Sequence, residues 1–277
     1  MLKKLLASKS QLIVPGVYDA LSSHIASQCG FEALYMSGFA VAGSLLAKPD
    51  IGLVTASEMT GRARQVVEAA HGVPVIADGD NGYGGEHNVS RLVQGYESAG
   101  VQCIQLEDQV SPKRCGHMNN KQVVQLDEAV SKIMAAVKSR SSDDFLIMAR
   151  TDARATHDFT EALRRGGAFL EAGADILFVE APQSIEEMKQ ITASFPGTPL
   201  VANMVEEGKT PELTAGELAD LGYQIILRPV SALLAAAKSL EVSYQALRKT
   251  SQLEDTQPRF SFSGFNEMVG LGEFDQE

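Results

Sequence analysis

The chain has 277 residues, 44% of them hydrophobic and 21% charged, with a net charge of −11. That balance argues against a binder of nucleic acid or of anionic membranes, which would carry a basic patch. No stretch approaches the roughly 18 apolar residues of a membrane span. Residues 1–10 lack the apolar core of a signal peptide. Cys29, Cys103 and Cys115 are too few and too irregular for a disulfide framework, which points to a reducing compartment, the cytoplasm.

Eight short apolar runs recur, at 12–17, 33–38, 73–80, 103–109, 145–152, 176–181, 199–205 and 224–230. Between them lie amphipathic stretches of helical length, at 22–29, 56–70, 87–99, 127–139, 158–172, 185–194, 215–221 and 232–249. Strands alternating with helices predict parallel β/α units. Eight such units fit a closed (β/α)8 barrel of the TIM type, a fold of about 250 residues. An open doubly wound sheet is the alternative, but no GxGxxG turn follows the first strand. Gly30, Gly100, Gly173 and Gly222 each follow a helical run and are expected to end it. Residues 1–250 therefore read as one barrel domain. Residues 251–277 read as a C-terminal arm whose Phe260, Phe262, Phe265 and Met268 pack on the barrel or on a neighbouring subunit.

In such a barrel the chemistry lies at the C-terminal ends of the strands, and residues two apart share a face. Reading those ends places Tyr35, Ser37 and Phe39 together, then Asp78 and Asp80, then Cys103, Gln105 and Glu107. The later strands add Met148, Arg150 and Asp152, then Phe178 and Glu180, then Val201 and Asn203. Asp78, Asp80 and Glu107 would converge and repel one another unless a divalent cation joined them. Oxygen ligands suit Mg2+, which keeps several of its waters. The alternative is that these acids pair with Arg150, Arg114 or Lys113 as structural salt bridges. Zinc does not fit, because the five histidines show no ligand spacing. The guanidinium fork of Arg150 matches a substrate carboxylate.

Cys115 stands in a polar loop between Lys113-Arg114 and Gly116-His117. Cations on both sides are the setting in which a thiol becomes chemically useful. Cys29 and Cys103, in apolar surroundings, read as small core residues.

At these residues the chain resembles the isocitrate lyase / phosphoenolpyruvate mutase superfamily. The resemblance rests on Tyr35-Met36-Ser37-Gly38, Asp78-Gly79-Asp80-Asn81-Gly82, Leu106-Glu107-Asp108-Gln109 and Lys113-Arg114-Cys115-Gly116-His117. Met148-Ala149-Arg150-Thr151-Asp152 and Phe178-Val179-Glu180-Ala181 support it. The cysteine loop is similar to the gating loop of the carbon–carbon lyases of that superfamily. The resemblance implies a barrel whose last helix is exchanged between subunits of a homotetramer. It implies Mg2+, with Mn2+ as a substitute, near Asp78, Asp80 and Glu107. It implies that the 2-oxo-acid half of a small carboxylate substrate binds through Ser37, the Gly38 and Phe39 amides, Asp50 and Arg150. Asn203 and Glu180 would then face its second carboxylate and the loop, with Gly116 a further substrate-binding residue and His117 a further catalytic one.

The implied reaction is retro-aldol cleavage of a 2-hydroxy di- or tricarboxylate to pyruvate and a second acid. Cys115 is the expected general acid, and Tyr35 or a metal-bound hydroxide is the candidate base. Met118 and Gln105 stand where 2-methylisocitrate lyases carry Arg and His. The loss of a cation at Met118 favours a smaller, branched malate over a tricarboxylate. Oxaloacetate hydrolysis or decarboxylation, and carbon–phosphorus chemistry, are the other activities of related chains.

Overall fold

The computed structural model describes residues 1–116, 118, 120–253 and 258–274. The strands are β1 (Leu12–Val17), β2 (Leu34–Met36), β3 (Val75–Asp78), β4 (Cys103–Glu107), β5 (Leu146–Thr151), β6 (Ile176–Val179), β7 (Val201–Asn203) and β8 (Ile225–Arg228). The helices are α1 (Leu2–Ser8), α2 (Ala20–Gln28), α3 (Gly38–Leu46), α4 (Ala56–Ala69), α5 (Glu86–Ser98) and α6 (Leu126–Ser139). They continue with α7 (Ala153–Thr156), α8 (Phe159–Glu171), α9 (Ile185–Ser194), α10 (Ala215–Asp220), α11 (Ser231–Thr250) and α12 (Phe262–Met268).

Every strand pairs in parallel with its neighbours in the order β6-β5-β4-β3-β2-β1-β8-β7. A parallel bridge between Leu177 and Leu200 spans the remaining gap, so the sheet curls into a nearly closed barrel. All eight expected strands are present, each trimmed by a few residues at most.

Strand alternation divides the core into two layers. Tyr35, Ile76, Cys103, Met148, Ile176, Phe178, Val201 and Leu227 point into the barrel and form one apolar cluster. Leu2 of α1 joins this cluster, and its N–H donates to Gln102 Oε1 at 2.8 Å, beside the start of β4. α1 thus covers the N-terminal end of the barrel. Residues of opposite parity, such as Ile104, Ile147 and Leu177, pack outward against the helices. Each fully buried aliphatic or aromatic side chain contributes about 1.5–3 kcal/mol. The inner layer therefore seals the barrel below its polar C-terminal mouth.

Local signals place the helices. Asp19 with Ser22, Thr55 with Glu58 and Thr214 with Glu217 form capping boxes at the starts of α2, α4 and α10. Gly100 and Gly222 have φ of +87° and +98°, the left-handed conformation that stops α5 and α10. α3 was not expected. Its sequence, GFAVAGSLL, has two glycines and no polar face, so neither propensity nor periodicity marks it. It forms because Ser37 caps it, accepting from the Ala40 N–H, and because its apolar surface packs on the outer core. Cys29 is a correction. It is the exposed C-cap residue of α2, where one polar-facing turn overrides its apolar character, whereas Cys103 is buried as expected.

The chain divides into two compact units, Met1–Leu233 and Leu234–Glu277. The first holds the barrel. The second holds most of α11, together with α12, and bears exposed Leu240, Tyr244, Phe262 and Phe265.

Candidate active site

The mouth of the barrel gathers six buried carboxylates, from Asp50, Asp78, Asp80, Glu107, Asp152 and Glu180. Three buried cations face them, from Lys113, Lys121 and Arg150. The groups form two connected halves.

The first half is built on the ends of β2 and β3. Asp78 Oδ2 accepts from the Gly38 N–H at 3.2 Å, at the start of α3. Asp78 Oδ1 accepts from the Asp80 N–H at 3.0 Å and from Gln105 Nε2 at 3.1 Å. Tyr35 completes the chain by donating its hydroxyl to Gln105 Oε1 at 2.9 Å. Gly38 is needed for this approach, because a Cβ there would lie 2.7 Å from Asp78 Oδ2 and 3.3 Å from Asp80 Oδ1. Ser37 sits at the foot of α3, where its hydroxyl accepts from Ala40 and keeps its own proton to donate. The Phe39 N–H belongs to the first turn of that helix, whose amides have no partners within the helix. Lys113 Nζ lies 2.6 Å from Asp50 Oδ1 and 2.7 Å from Asp80 Oδ1.

The second half is built on β4, β5, β6 and β7. The Arg150 guanidinium donates from Nε to Asp152 Oδ2 at 3.0 Å and from Nη2 to Asp152 Oδ1 at 3.1 Å. It is also 3.3 Å from Glu107 Oε2 and 3.4 Å from Glu180 Oε2, and it lies over the Phe178 ring. Asn203 Nδ2 donates to Glu180 Oε2 at 3.3 Å.

The thiol loop closes over this half. The Cys115 N–H donates to the Asp50 carbonyl at 3.1 Å. At Gly116 a Cβ would lie 2.4 Å from Arg150 Nη2 and 2.7 Å from Glu180 Cδ, so only a glycine peptide can lie here. Cys115 is half-buried, as is Met118. The neighbouring cations of the sequence diverge: Lys113 turns inward to the acids, while Arg114 is exposed. His117 lies outside the described residues.

Burial dominates the electrostatics. It raises the Asp78 pKa to about 6, with repulsion from Asp80 adding to it and Lys113 and Arg150 opposing it. Burial likewise pushes Glu107 well above the usual carboxylate range, against the pull of Arg150 and Lys113. It raises Asp50 too. Burial also pushes Asp152 up, but Arg150 and Lys121 outweigh it and hold that carboxyl below its usual value. Tyr35 is raised well above its ordinary value by burial and by Asp78, which keeps it a neutral phenol near pH 7.

The ion pairs foreseen as the alternative to a metal are therefore formed, by Lys113 with Asp80 and by Arg150 with Glu107. They do not use up the acids. Glu107 Oε1 is buried with no hydrogen-bond partner, and Asp80 Oδ1 meets Lys113 outside hydrogen-bond geometry. A buried carboxylate oxygen left in this way is costly unless a positive group reaches it. Among the described residues no three acid, imidazole or thiol groups are drawn together as a ready metal cage. The donor set is oxygen only and incomplete, which fits a hard cation that keeps its own waters.

The acid pair Glu107-Asp108 is split by strand alternation. Asp108 faces outward, where Oδ2 accepts from Thr151 Oγ1 at 2.7 Å and from Arg165 Nη1 at 3.1 Å. Sequence reading also gave no role to Lys121. A lysine in a polar loop is solvated by default, and only the fold shows that this one is buried.

Fold and site together define a (β/α)8 barrel enzyme with a buried cluster of charged groups at its C-terminal mouth. The profile of the phosphoenolpyruvate phosphomutase family matches residues 2–248, and the chain belongs to that family. The 2,3-dimethylmalate lyase of Eubacterium barkeri is 48% identical over 273 residues, 98% of this chain and 93% of that protein. The 2-methylisocitrate lyase of Aeropyrum pernix is 39% identical over 277 residues, 100% of this chain and 88% of the other. A crystal structure of 2,3-dimethylmalate lyase superposes with a TM-score of 0.93 at 36% identity, over 99% of this chain and 91% of that one. Phosphonopyruvate hydrolase, in complex with oxalate and Mg2+, superposes with a TM-score of 0.87 at 29% identity, over 99% and 95%.

Proposed function

We propose that the protein is a divalent-metal-dependent carbon–carbon lyase that cleaves a branched 2-hydroxy dicarboxylate of the 2,3-dimethylmalate type to pyruvate and a second carboxylic acid. The observation that carries this reading is the seating of Gly116, the residue next to Cys115, directly on Arg150 and Glu180. A thiol delivered to a carboxylate-binding mouth suits a reaction whose second step is protonation of carbon.

Arg150 anchors the carboxylate of the 2-oxo-acid half. Two of its donors are committed to Asp152, while its contacts to Glu107 and Glu180 are longer and can yield to substrate. Ser37, the Phe39 amide and the Gly38 turn line the other side of that half. Asp50 holds Lys113 in place there. Tyr35, as a neutral phenol, orients the substrate's 2-oxygen and is not itself the base. A divalent cation held by Asp78, Asp80 and Glu107, Mg2+ or in its place Mn2+, would supply positive charge where the 2-oxygen becomes anionic. The bond between C2 and C3 breaks, its electron pair stays on the C3 fragment, and C3 takes a proton from the Cys115 thiol. The 2-hydroxyl proton leaves to a solvent water, and solvent returns a proton to the Cys115 thiolate after C3 is protonated, so no net proton is consumed. Asn203 and Glu180 face the leaving carboxylate.

Two observations support the smaller substrate. Met118, half-buried beside Cys115, brings no cation for a third carboxylate. The dimethylmalate lyase is also the more similar of the two lyases compared. The exposed apolar residues of Leu234–Glu277 support a homotetramer in which this unit packs on a neighbouring copy. Among the described residues no helix is long and apolar enough to cross a membrane, and a cytoplasmic enzyme is our reading.

The test is pyruvate release, coupled to lactate dehydrogenase, with Mg2+ and a panel of 2,3-dimethylmalate, 2-methylisocitrate and oxaloacetate. Turnover of dimethylmalate above the other two is expected. Oxaloacetate split to oxalate and acetate, or phosphate released from phosphonopyruvate with no cleavage of the malates, sinks the reading.

A further inference from the structure

We infer that Lys121 is a positioning residue that ties the backbone of the thiol loop at Gly116, next to Cys115, to the carboxylate holding the arginine that anchors substrate. Its side chain is almost wholly buried, and its ammonium donates to two groups at once, the Gly116 carbonyl and Asp152 Oδ1. The first contact belongs to the thiol loop. The second belongs to the carboxylate that holds Arg150 through Nε and Nη2.

Asp152 is itself fixed from outside the barrel. Its N–H donates to Asp108 Oδ1 at 2.9 Å, and Asp108 is held by Thr151 and by Arg165 of α8. Arg165 Nε in turn donates to Glu161 at 2.8 Å. A continuous chain of charge-assisted hydrogen bonds thus runs from the outer helix layer, through the end of β5, to the loop peptide.

Lys121 shares the neutralisation of Asp152 with Arg150, whose guanidinium also faces Glu107 and Glu180. Beyond that charge it adds the grip on the Gly116 carbonyl. An ammonium is suited to this, because its three donors spread in space and reach a carbonyl and a carboxylate that are not coplanar.

Two tethers then define the position of the thiol. The Cys115 N–H is bound to the Asp50 carbonyl, and the next carbonyl is bound to Lys121. Gly116 allows the peptide to lie against Arg150 and Glu180, and Lys121 keeps it there. The inference rests on the reading of Cys115 as the proton donor, but its test does not require turnover.

The experiment compares the full chain with Lys121→Met, Lys121→Gln and Lys121→Arg. The rate of Cys115 alkylation by iodoacetamide is read by peptide mass spectrometry, with exposed Cys29 as the reference in the same chain. In Lys121→Met the ratio of Cys115 to Cys29 alkylation should rise at least about tenfold, the change that one lost charge-assisted hydrogen bond brings. Lys121→Arg should restore most of the protection. Should the methionine variant fail to fold, the glutamine variant, which keeps a donor but no charge, should show the same rise. With any substrate the panel reveals, Lys121→Met should lower kcat and leave KM within about threefold, because Arg150 still anchors the carboxylate. A lowered melting temperature with an unchanged alkylation ratio means a merely structural lysine and overturns the inference. A wild-type protein that turns over nothing on the panel counts against the lyase reading, and the alkylation ratio still decides for or against Lys121.

Discussion

Lys113 Nζ lies 2.7 Å from Asp80 Oδ1, and both side chains are almost wholly buried. A protein cation thus already occupies the acid cluster that the proposed metal would join. The two positive groups share the same carboxylates, so binding of one weakens the hold of the other.

This relationship predicts the behaviour of Lys113→Met. Without the ammonium, Asp50 and Asp80 remain buried near each other and lose their direct ion-pair partner. Breaking such a pair costs about 3–5 kcal/mol, so the metal-free protein should melt well below wild type. A divalent cation then has more to stabilise. The rise in Tm on adding MgCl2 should be larger in the variant than in wild type, and EDTA should reverse it. An equal Mg2+ response in the two proteins would show that Lys113 and the metal do not compete.

The pH dependence follows from Asp78. Its folded pKa of about 6 lies above the ordinary aspartate value of 3.8. Burial therefore penalises the ionised form in the metal-free protein. That penalty is complete above about pH 6 and is relieved as pH falls from about 6 toward 3.8. The ionised form is also the one that binds a cation. The Tm increment produced by saturating MgCl2 should be largest near pH 7.5 and shrink steadily below about pH 6. An increment that is flat between about pH 7.5 and 5 removes Asp78 from the metal site.

The two layers of the site differ in how far they can be read from sequence. Strand alternation with Gly and Pro punctuation marks the barrel, and a polar residue at the last inward position of most strands marks its mouth. Tyr35, Asp78, Glu107 and Arg150 follow from that parity alone. What parity cannot supply is pairing across the barrel. Lys113 and Arg114 are adjacent in sequence, yet one is buried among acids and the other faces solvent. Glu107 and Asp108 form one acidic pair in sequence, yet they serve opposite sides of β4. Lys121 and Asp152 are 31 positions apart, and only the folded loop joins them. α3 escaped detection for a different reason. Its helical state is set by the Ser37 cap and by packing, against a local composition that disfavours helix.

Cys115→Ser separates the thiol's chemistry from its structural role. The Cys115 backbone N–H keeps its bond to the Asp50 carbonyl, and a hydroxyl is close to isosteric. Stability should change little, so Tm should stay within a few degrees. Serine is a far weaker acid than cysteine, and loss of a positioned general acid typically costs about 10²–10⁴ in rate. Turnover of the best panel substrate should fall by that much. A serine variant with near-normal turnover would assign the proton to another group.

Gly38→Ala sets a local gain against a loss at the site. Alanine is favoured over glycine in a helix by about 1 kcal/mol, and φ at Gly38 is not in the left-handed region. On backbone grounds the change is tolerable. Its Cβ, however, would lie 2.7 Å from Asp78 Oδ2 and 3.2 Å from Asp78 Cγ, so the carboxylate must move away from the Gly38 N–H that it now accepts. Stability should therefore change little, while the Mg2+-induced rise in Tm shrinks and turnover falls at least about tenfold. Gly61→Ala in α4 is the matched control. Nothing lies within 4 Å of its Cβ position, so the change should add up to about 1 kcal/mol of stability and leave turnover and the Mg2+ response as they are. If both variants behave alike, the effect of Gly38 belongs to the helix and not to Asp78. If only Gly38→Ala loses the metal response, the close approach of a bare backbone to Asp78 is what sets the geometry of the acid cluster.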